Sequence, residues 1–169
     1  MSSTSTIFHF NSGIATENVK MGACFDLDWT LVRPERTKFP KTSNDNIIMP
    51  NRINTLKNYI QKGYTIIIFT NQKLTKKEDI KFKYDRMFDI SDKFTAEGIP
   101  LIIYMSTADD KYRKPNIGMW EECRRFYTKL SSAFYCGDAA GRKSDFSDSD
   151  LQFANNIGIK FYTPEEIFE

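Results

Sequence analysis

Phe25-Asp26-Leu27-Asp28-Trp29-Thr30-Leu31-Val32 sets two carboxylates two residues apart, directly after the apolar run Gly22-Ala23-Cys24-Phe25. An apolar run that breaks into polar residues reads as a buried strand ending in a loop. Alternation along the strand puts Asp26 and Asp28 on one face and Leu27 on the other. Past the strand end the backbone turns, so both carboxylates can converge on one ligand. Two buried carboxylates repel each other unless a cation or a proton lies between them. The pattern points to a divalent metal beside a carboxylate nucleophile. Two solvated acids at a polar strand end are the alternative, and the string alone does not separate the two.

Working outward, strand-like runs alternate with helical patterns, which predicts α/β architecture with an open, largely parallel, Rossmann-like sheet between two helical layers. Ile7 to Phe10 reads as a short edge strand and Met21 to Asp26 as the first core strand. Residues 29 to 50, with Pro34, Pro40 and Pro50, are too irregular for a helix. Asn51 to Lys62 reads as a helix stopped by Gly63. Tyr64 to Phe69 is an uninterrupted β-branched and aromatic run, as expected of a strand buried on both faces. Residues 75 to 97 read as a helix with Ile80, Tyr84, Met87, Phe88 and Phe94 inward. Pro100 to Met105 and Ala133 to Cys136 are further strands, with a helix over Asn116 to Leu130 between them. A helix over Asp150 to Ile157, a strand over Ile159 to Tyr162 and a turn begun by Pro164 complete the pattern.

The 169 residues fit one domain spanning residues 1–169. Net charge is only +2, from 24 basic and 22 acidic residues, so bulk charge does not announce a nucleic-acid binder. No apolar run approaches the ~20 residues of a membrane span, and Met1 to Thr6 lacks the character of a signal peptide. An intracellular, soluble monomer is expected, with no membrane partner. Cys24, Cys123 and Cys136 are odd in number and lack CxxC spacing, so reduced, buried thiols are expected. The single histidine, His9, lies far from the acids and is expected to be structural or exposed. Its isolation removes Ser-His-Asp chemistry and a His-rich zinc site.

Each core strand from Met21 to Cys136 is followed by an unusual polar cluster: Asp26 and Asp28; Thr70, Asn71 and Gln72; Arg113 and Lys114; then Gly137-Asp138-Ala139-Ala140-Gly141-Arg142. Ligands of open parallel sheets bind outside the carboxyl ends of the strands. Asp26, Asp28 and Asp138 suit Mg²⁺, which prefers carboxylate oxygens and keeps some water. Thr70 offers a hydroxyl and an N–H to a phosphate oxygen, and Lys114 a fixed positive charge. An acidic metal nest beside a Lys and a Thr is what phosphoryl transfer needs.

The order DLDWT, strand-Thr-Asn-Gln, Lys-Pro and Gly-Asp resembles the haloacid dehalogenase superfamily of phosphotransferases. Thr70-Asn71-Gln72, Tyr112-Arg113-Lys114-Pro115, Gly118-Met119-Trp120, Gly137 to Arg142, Asp145-Phe146-Ser147 and Thr163-Pro164-Glu165-Glu166 resemble the 3′-phosphatase domain of the polynucleotide kinase 3′-phosphatase family, over about Ile7 to Phe168. The resemblance implies a Mg²⁺-dependent phosphatase acting on 3′-phosphate ends of DNA. Asp26 would be the nucleophile and Asp28 the general acid and base. Mg²⁺ would sit on Asp26, the backbone carbonyl of Asp28, and Asp138. Thr70 and Lys114 would hold the transferring phosphoryl group, with Asn71, Gln72, Arg113 and Arg142 toward the nucleic acid or the phosphate. Asp145 and Asp150 are candidates for metal support, and helix capping is the alternative for Asp150.

Departures from the family carry expectations too. Trp29 stands where a small residue is usual; covering the site, stacking on a base and packing under the loop are its alternatives, with packing slightly favoured. Lys143-Ser144 replaces a longer basic insert, which weakens the expected grip on duplex DNA. No G-x-x-x-x-G-K-[S/T] string occurs, so no kinase activity is expected. Only Trp29 to Pro50 could overhang the site, and an open cleft suits the end of a polymer. Cys136-x5-Arg142 formally matches a cysteine-phosphatase loop, but Cys136 ends an apolar strand and Asp138 would repel the phosphate from inside that loop. A small-molecule phosphatase of the same superfamily and a non-catalytic strand-end module are the remaining alternatives.

Overall fold

A computed structural model describes residues 5–76 and 79–169. Residues 1–4 of the N-terminus, and 77 and 78 within the helix expected over 75–97, lie outside the described residues.

The expected open sheet is present. Six strands run β1 (Ile7–Asn11), β2 (Met21–Phe25), β5 (Tyr64–Asn71), β6 (Ile102–Ser106), β7 (Ser132–Cys136) and β8 (Lys160–Tyr162), in spatial order β1-β6-β5-β2-β7-β8. All neighbours pair in parallel except the edge strand β1, which lies antiparallel to β6. Between β2 and β5 come β3 (Val32–Arg33) and β4 (Ile47–Ile48), a small antiparallel ribbon in the segment expected to be irregular. The helices are α1 (Arg52–Gln61), α2 (Asp79–Ala96), α3 (Gly118–Phe126), α4 (Ser149–Ile157) and α5 (Pro164–Phe168). No described helix is long and apolar enough to cross a membrane.

Strand alternation builds two cores from one sheet. Ala23, Phe25, Ile66, Ile68, Ile103 and Phe134 face α1, α2 and α5, where they meet Leu56, Met87, Ile90, Phe94 and Phe168. Cys24, Ile67, Phe69, Ile102, Tyr104 and Tyr135 face α3 and α4, where they meet Met119, Trp120, Cys123, Phe153 and Ala154. Both faces of β5 are therefore sealed, which is why its sequence is apolar without alternation. Gly63, at φ +96, lets the chain leave α1 and enter β5 directly.

Three helical expectations need correction. The described part of the helix expected over 75–97 starts at Asp79, whose carboxylate accepts hydrogen bonds from the N–H groups of Thr75 and Lys76 and so holds them outside the helix. Phe88 is not inward but 42% exposed, set edge-on to Phe8 and Phe10. Met87, Ile90 and Phe94 form the buried stripe, and Phe88 falls about 100° round the helix from Met87. The helix expected over 116–130 is shorter, ending at Phe126. The backbone opens at Tyr127 so that its fully buried ring reaches His9, whose Nε2 lies 2.7 Å from the phenol. His9 is thus structural, stacked on Tyr104 at 4.5 Å, and the three cysteines are free and buried as expected.

Leu56 is fully buried between α1 and the sheet, whereas Ile47 in β4 is partly solvated. Leu56→Ala is expected to lower unfolding free energy by about 2–5 kcal/mol, and Ile47→Ala by no more than about 0.5 kcal/mol. Chemical denaturation of both variants checks this; equal losses would contradict the assigned core.

Candidate active site

The carboxyl ends of β2, β5, β6 and β7 open onto one cleft of about 600 Å³. Asp26, Asp28, Thr70, Asn71, Gln72, Arg113, Lys114, Asp138 and Asp150 all line it. Arg142, which sequence reading sent to the nucleic acid or phosphate, does not. Its Nε donates to Asp145 (2.9 Å) and its NH1 to Glu165 (2.7 Å), so carboxylates occupy both sides of the guanidinium. Asp145 in turn accepts from the N–H groups of Ala140 and Arg142, which makes it a clamp on the loop after β7.

At the floor lies Lys114, only 3% exposed. Its Nζ donates to Asp26 Oδ1 (2.9 Å), Asp150 Oδ1 (2.8 Å) and the Tyr135 hydroxyl (2.7 Å). An ammonium has three protons, so every one has a protein acceptor. Burial alone would push Lys114 down, but the charges of Asp150 and Asp26 hold it above its ordinary value. Asn71 sets the backbone of this residue: its Oδ1 accepts from the Lys114 N–H (2.9 Å) and its Nδ2 donates to the Lys114 carbonyl (3.1 Å). Both ends of the Asn71 amide are thereby committed to the chain rather than directed at a ligand.

Asp26, Asp138 and Asp150 bring one carboxylate oxygen each to within 4.8 Å of one another. Thr30, the last residue of the D-x-D-x-T string, bridges two of them: its hydroxyl lies 3.3 Å from Asp26 Oδ2 and accepts from the Asp138 N–H at 3.1 Å. Burial, and then the charge of Asp150, push the Asp26 carboxyl well above the usual carboxylate range, and burial raises Asp138. Ionising all three carboxylates against one ammonium would leave two negative charges uncompensated, and burial together with that excess holds the Asp26 and Asp138 carboxyls up in the absence of a further cation. That donor set of hard oxygens fits a divalent cation such as Mg²⁺.

Asp150 is not a helix cap. Its residue sits in the first turn of α4, but its Oδ1 accepts from Lys114 and Tyr135 and its Oδ2 from the Ala139 N–H. Gly137 makes room for it, since a Cβ there would lie 2.4 Å from the Asp150 carboxyl carbon.

The Asp28 side chain is not part of the Asp26–Asp138–Asp150 cluster. The strand stops at Phe25, so the alternation expected to align Asp26 with Asp28 no longer applies beyond it. Asp28 instead receives a two-pronged contact from Arg86 (NH2 to Oδ1, NH1 to Oδ2) and a bond from Gln72 Nε2 at 2.7 Å. Burial would raise its carboxyl, but the Arg86 guanidinium outweighs that and holds it below the ordinary range. Gln72 Nε2 also donates to Thr70 Oγ1 (2.8 Å), which leaves the Thr70 hydroxyl proton available toward the cleft.

The rim is aromatic and basic. Trp29, Phe39 and Phe146 are 39%, 72% and 83% exposed, and Phe82, Lys38, Lys83 and Arg113 share the wall. Trp29 therefore faces the cleft rather than packing under its loop. Its backbone is left-handed (φ 62) and its indole N–H donates to the Lys38 carbonyl at 3.2 Å. Sequence reading missed Arg86, Lys83 and Tyr135. No motif marks a lone Arg on a helix face, and Tyr135 reads as an ordinary core strand residue.

The profile of the family described as polynucleotide kinase 3 phosphatase matches residues 22–168. An uncharacterised 20.8 kDa protein of Autographa californica nuclear polyhedrosis virus is 39% identical, over 87% of this chain and 85% of its own. The bifunctional polynucleotide phosphatase/kinase of Schizosaccharomyces pombe is 35% identical over 90% of this chain and 38% of its own, and the polynucleotide 3′-phosphatase ZDP of Arabidopsis thaliana 32% over 86% and 24%. The chain thus spans well under half the length of those two relatives. A HAD-like phosphatase from Mesorhizobium loti shares the fold (TM-score 0.70, 16% identity, 94% of this chain and 78% of that one). So does the D,D-heptose 1,7-bisphosphate phosphatase of B. bronchiseptica (TM-score 0.64, 19% identity, 86% and 80%). A cleft built from four strand ends around DLDWT, TNQ, RKP and GDAAGR, together with a profile match over nearly the whole chain, places this protein in the polynucleotide kinase 3 phosphatase family of phosphatases, on a haloacid dehalogenase-like fold.

Proposed function

We propose that this protein is a Mg²⁺-dependent polynucleotide 3′-phosphatase that converts 3′-phosphate ends of DNA to 3′-hydroxyl ends through an aspartyl-phosphate on Asp26, as strand-break repair requires. The observation that carries this reading is the Asp26 carboxylate, bonded to Lys114 at the floor of a cleft with an aromatic and basic rim. Family membership supports the reaction class, and the relatives named for 3′-phosphatase activity support the substrate.

Asp26 attacks phosphorus. Thr70 donates its free hydroxyl proton to a phosphoryl oxygen. Lys114 has no spare proton, so it binds the phosphoryl group only by exchanging one of its carboxylate bonds. Until then it supplies charge from below. Asp28 gives a proton to the leaving 3′-oxygen and later takes one from water. Asp26, Asp138 and the Asp28 carbonyl would hold Mg²⁺, which when bound offsets the negative charge of the phosphoryl oxygens. Asn71 and Gln72 act one step back, by fixing Lys114, Thr70 and Asp28.

Exposed phenylalanines at a polar site are otherwise unfavourable, and they suit unstacked bases. Base–aromatic stacking contributes ~1–3 kcal/mol per base. Phe39→Ala and Phe146→Ala are each expected to raise KM on a single-stranded 3′-phosphorylated oligonucleotide, with a much smaller change on a nitrophenyl phosphate, which carries no base. An oligonucleotide KM that does not move in either variant would remove the rim from the binding surface.

Conversion of a 3′-phosphorylated oligonucleotide to its 3′-hydroxyl product is expected only with a divalent cation, because the floor otherwise carries uncompensated negative charge facing a phosphate. Undiminished turnover in excess chelator would contradict the metal assignment.

The nucleophile can be tested separately. Burial first, then the carboxylates of Asp150 and Asp26, push the Cys136 thiol well above its ordinary value, which makes it a poor nucleophile. Asp26→Asn is expected to abolish activity, since an amide neither attacks phosphorus nor serves as an anionic metal ligand. Cys136→Ser should retain activity per folded molecule. Loss of activity in a well-folded serine variant would move the nucleophile to Cys136.

A further inference from the structure

Arg86 stands apart from every motif. It lies in the middle of α2, is 1% exposed and directs four of its five N–H donors at protein acceptors. Its Nε donates to Asn46 Oδ1 at 2.8 Å, its NH1 to Asp28 Oδ2 at 3.2 Å and to Gln72 Oε1 at 3.3 Å, and its NH2 to Asp28 Oδ1. Asn46 is itself oriented by its Nδ2 bonds to the Ser43 carbonyl and Asp89, both at 2.8 Å. Gln72 Oε1 also accepts from Lys83 at 2.9 Å. Among the described residues, Arg86 and Gln72 are the hydrogen-bond partners of the Asp28 side chain. A planar guanidinium gripping both oxygens of one carboxylate fixes its plane as well as its position, which an ammonium does not do.

We propose that Arg86 is the positioning residue for the Asp28 carboxyl, holding it in the orientation both proton transfers need, with Asn46 and Gln72 aiming the guanidinium. This rests on the phosphatase chemistry proposed above. The first half runs from the form in which Asp28 carries a proton, which Arg86 makes the rarer one: an Asp26 oxygen bonds to phosphorus, the bond from phosphorus to the 3′-oxygen breaks, and that oxygen takes the Asp28 proton. In the second, Asp28 takes a proton from water, the water oxygen bonds to phosphorus, and the bond from phosphorus to Asp26 breaks. Asp28 regains its proton, and one water is consumed per phosphate released. The fork stabilises Asp28 as it turns into a carboxylate in the first half and keeps it aimed for the second. A misplacement of about 1 Å can slow such steps ~10²-fold.

A residue that only ties α2 to the sheet would affect all substrates alike. A positioning residue would not, and burst kinetics tell the two apart. Arg86→Lys retains the charge and loses the fork. On a nitrophenyl phosphate, whose leaving group needs no proton, the variant is expected to keep the first-turnover burst of nitrophenol while steady turnover falls by about 10-fold or more, because only the second half uses Asp28. On a 3′-phosphorylated oligonucleotide the burst itself should slow by a similar factor, with little change in KM. Asp28→Asn/Arg86→Lys should be no slower than Asp28→Asn alone, since the two residues act as one unit. Equal slowing of the burst on both substrates, or multiplying defects in the double variant, would overturn the proposal.

Thermal melting accompanies each measurement. If Arg86→Lys does not fold, Asp28→Asn/Arg86→Met, which leaves no buried unpaired charge, is compared with Asp28→Asn; an added chemical defect overturns the proposal and equality upholds it. Should the unaltered protein turn over nitrophenyl phosphate but not the oligonucleotide, the polynucleotide reading fails, and the split between burst and turnover on nitrophenyl phosphate still decides the role of Arg86.

Discussion

Beneath the cleft the Lys114 ammonium meets Asp26, Asp150 and Tyr135 at once, and the rest of the site is arranged around that contact. Removing an ammonium from water is expensive by several kcal/mol, and the expense is recovered only where each proton finds an acceptor. Each of those acceptors comes from a different part of the chain. Asp26 follows β2, Tyr135 belongs to β7, and Asp150 opens α4; the lysine arrives on the loop after β6, with its backbone fixed by Asn71 at the end of β5. The side chain and backbone of this one residue therefore tie the ends of β2, β5 and β7 to the loop after β6. Loss of one partner would leave an unpaired charge in the interior rather than a missing surface contact.

The cleft separates Asp26 from Asp28 by giving each its own cation. Asp26 belongs to Lys114, in a cluster where burial first, and then the charge of Asp150, pushes the carboxyl up, and whose oxygens suit a divalent cation. Asp28 belongs to Arg86, which holds its carboxyl down. Two acids two residues apart in the chain thus work in opposite electrostatic settings, because the strand ends between them and the backbone turns. The tight turn that does this runs through Leu27, whose carbonyl accepts from the N–H groups of Leu31 and Val32, and through Trp29 in its left-handed conformation. The same turn sends the indole toward the rim, so the geometry that parts the acids also contributes to the aromatic wall.

The sheet explains why so few residues suffice. Alternation along β2, β5 and β7 sends successive side chains into two separate cores, and sealing both faces leaves the charged groups beyond the strand ends. Asp150 reaches that edge because residue 137 has no side chain to block it. Thr30 joins Asp26 to Asp138 with a single hydroxyl. Small residues at close approaches and short polar bridges make the floor compact, while large aromatics are kept for the rim.

By itself the sequence determined the layered sheet, the strand ends that open onto the cleft, and the gathering of Asp26, Thr70, Lys114 and Asp138 there. Those features are local: an apolar run followed by acids, a Gly-Asp after a strand and a Lys-Pro in a loop mean nearly the same thing wherever the chain folds. Helix ends were less legible. Asp79 and Tyr127 set theirs through contacts that periodicity does not encode, and Phe88 lies only one residue from the buried stripe. Tertiary structure alone decided that Asp150 anchors Lys114 instead of capping a helix, that Arg142 is taken up by Asp145 and Glu165, that Trp29 faces the cleft, and that Asp28 is held by Arg86 from 58 residues away. Each of those outcomes depends on which charges meet in the interior. That is settled by the distance between side chains once the sheet has closed, not by their spacing along the chain.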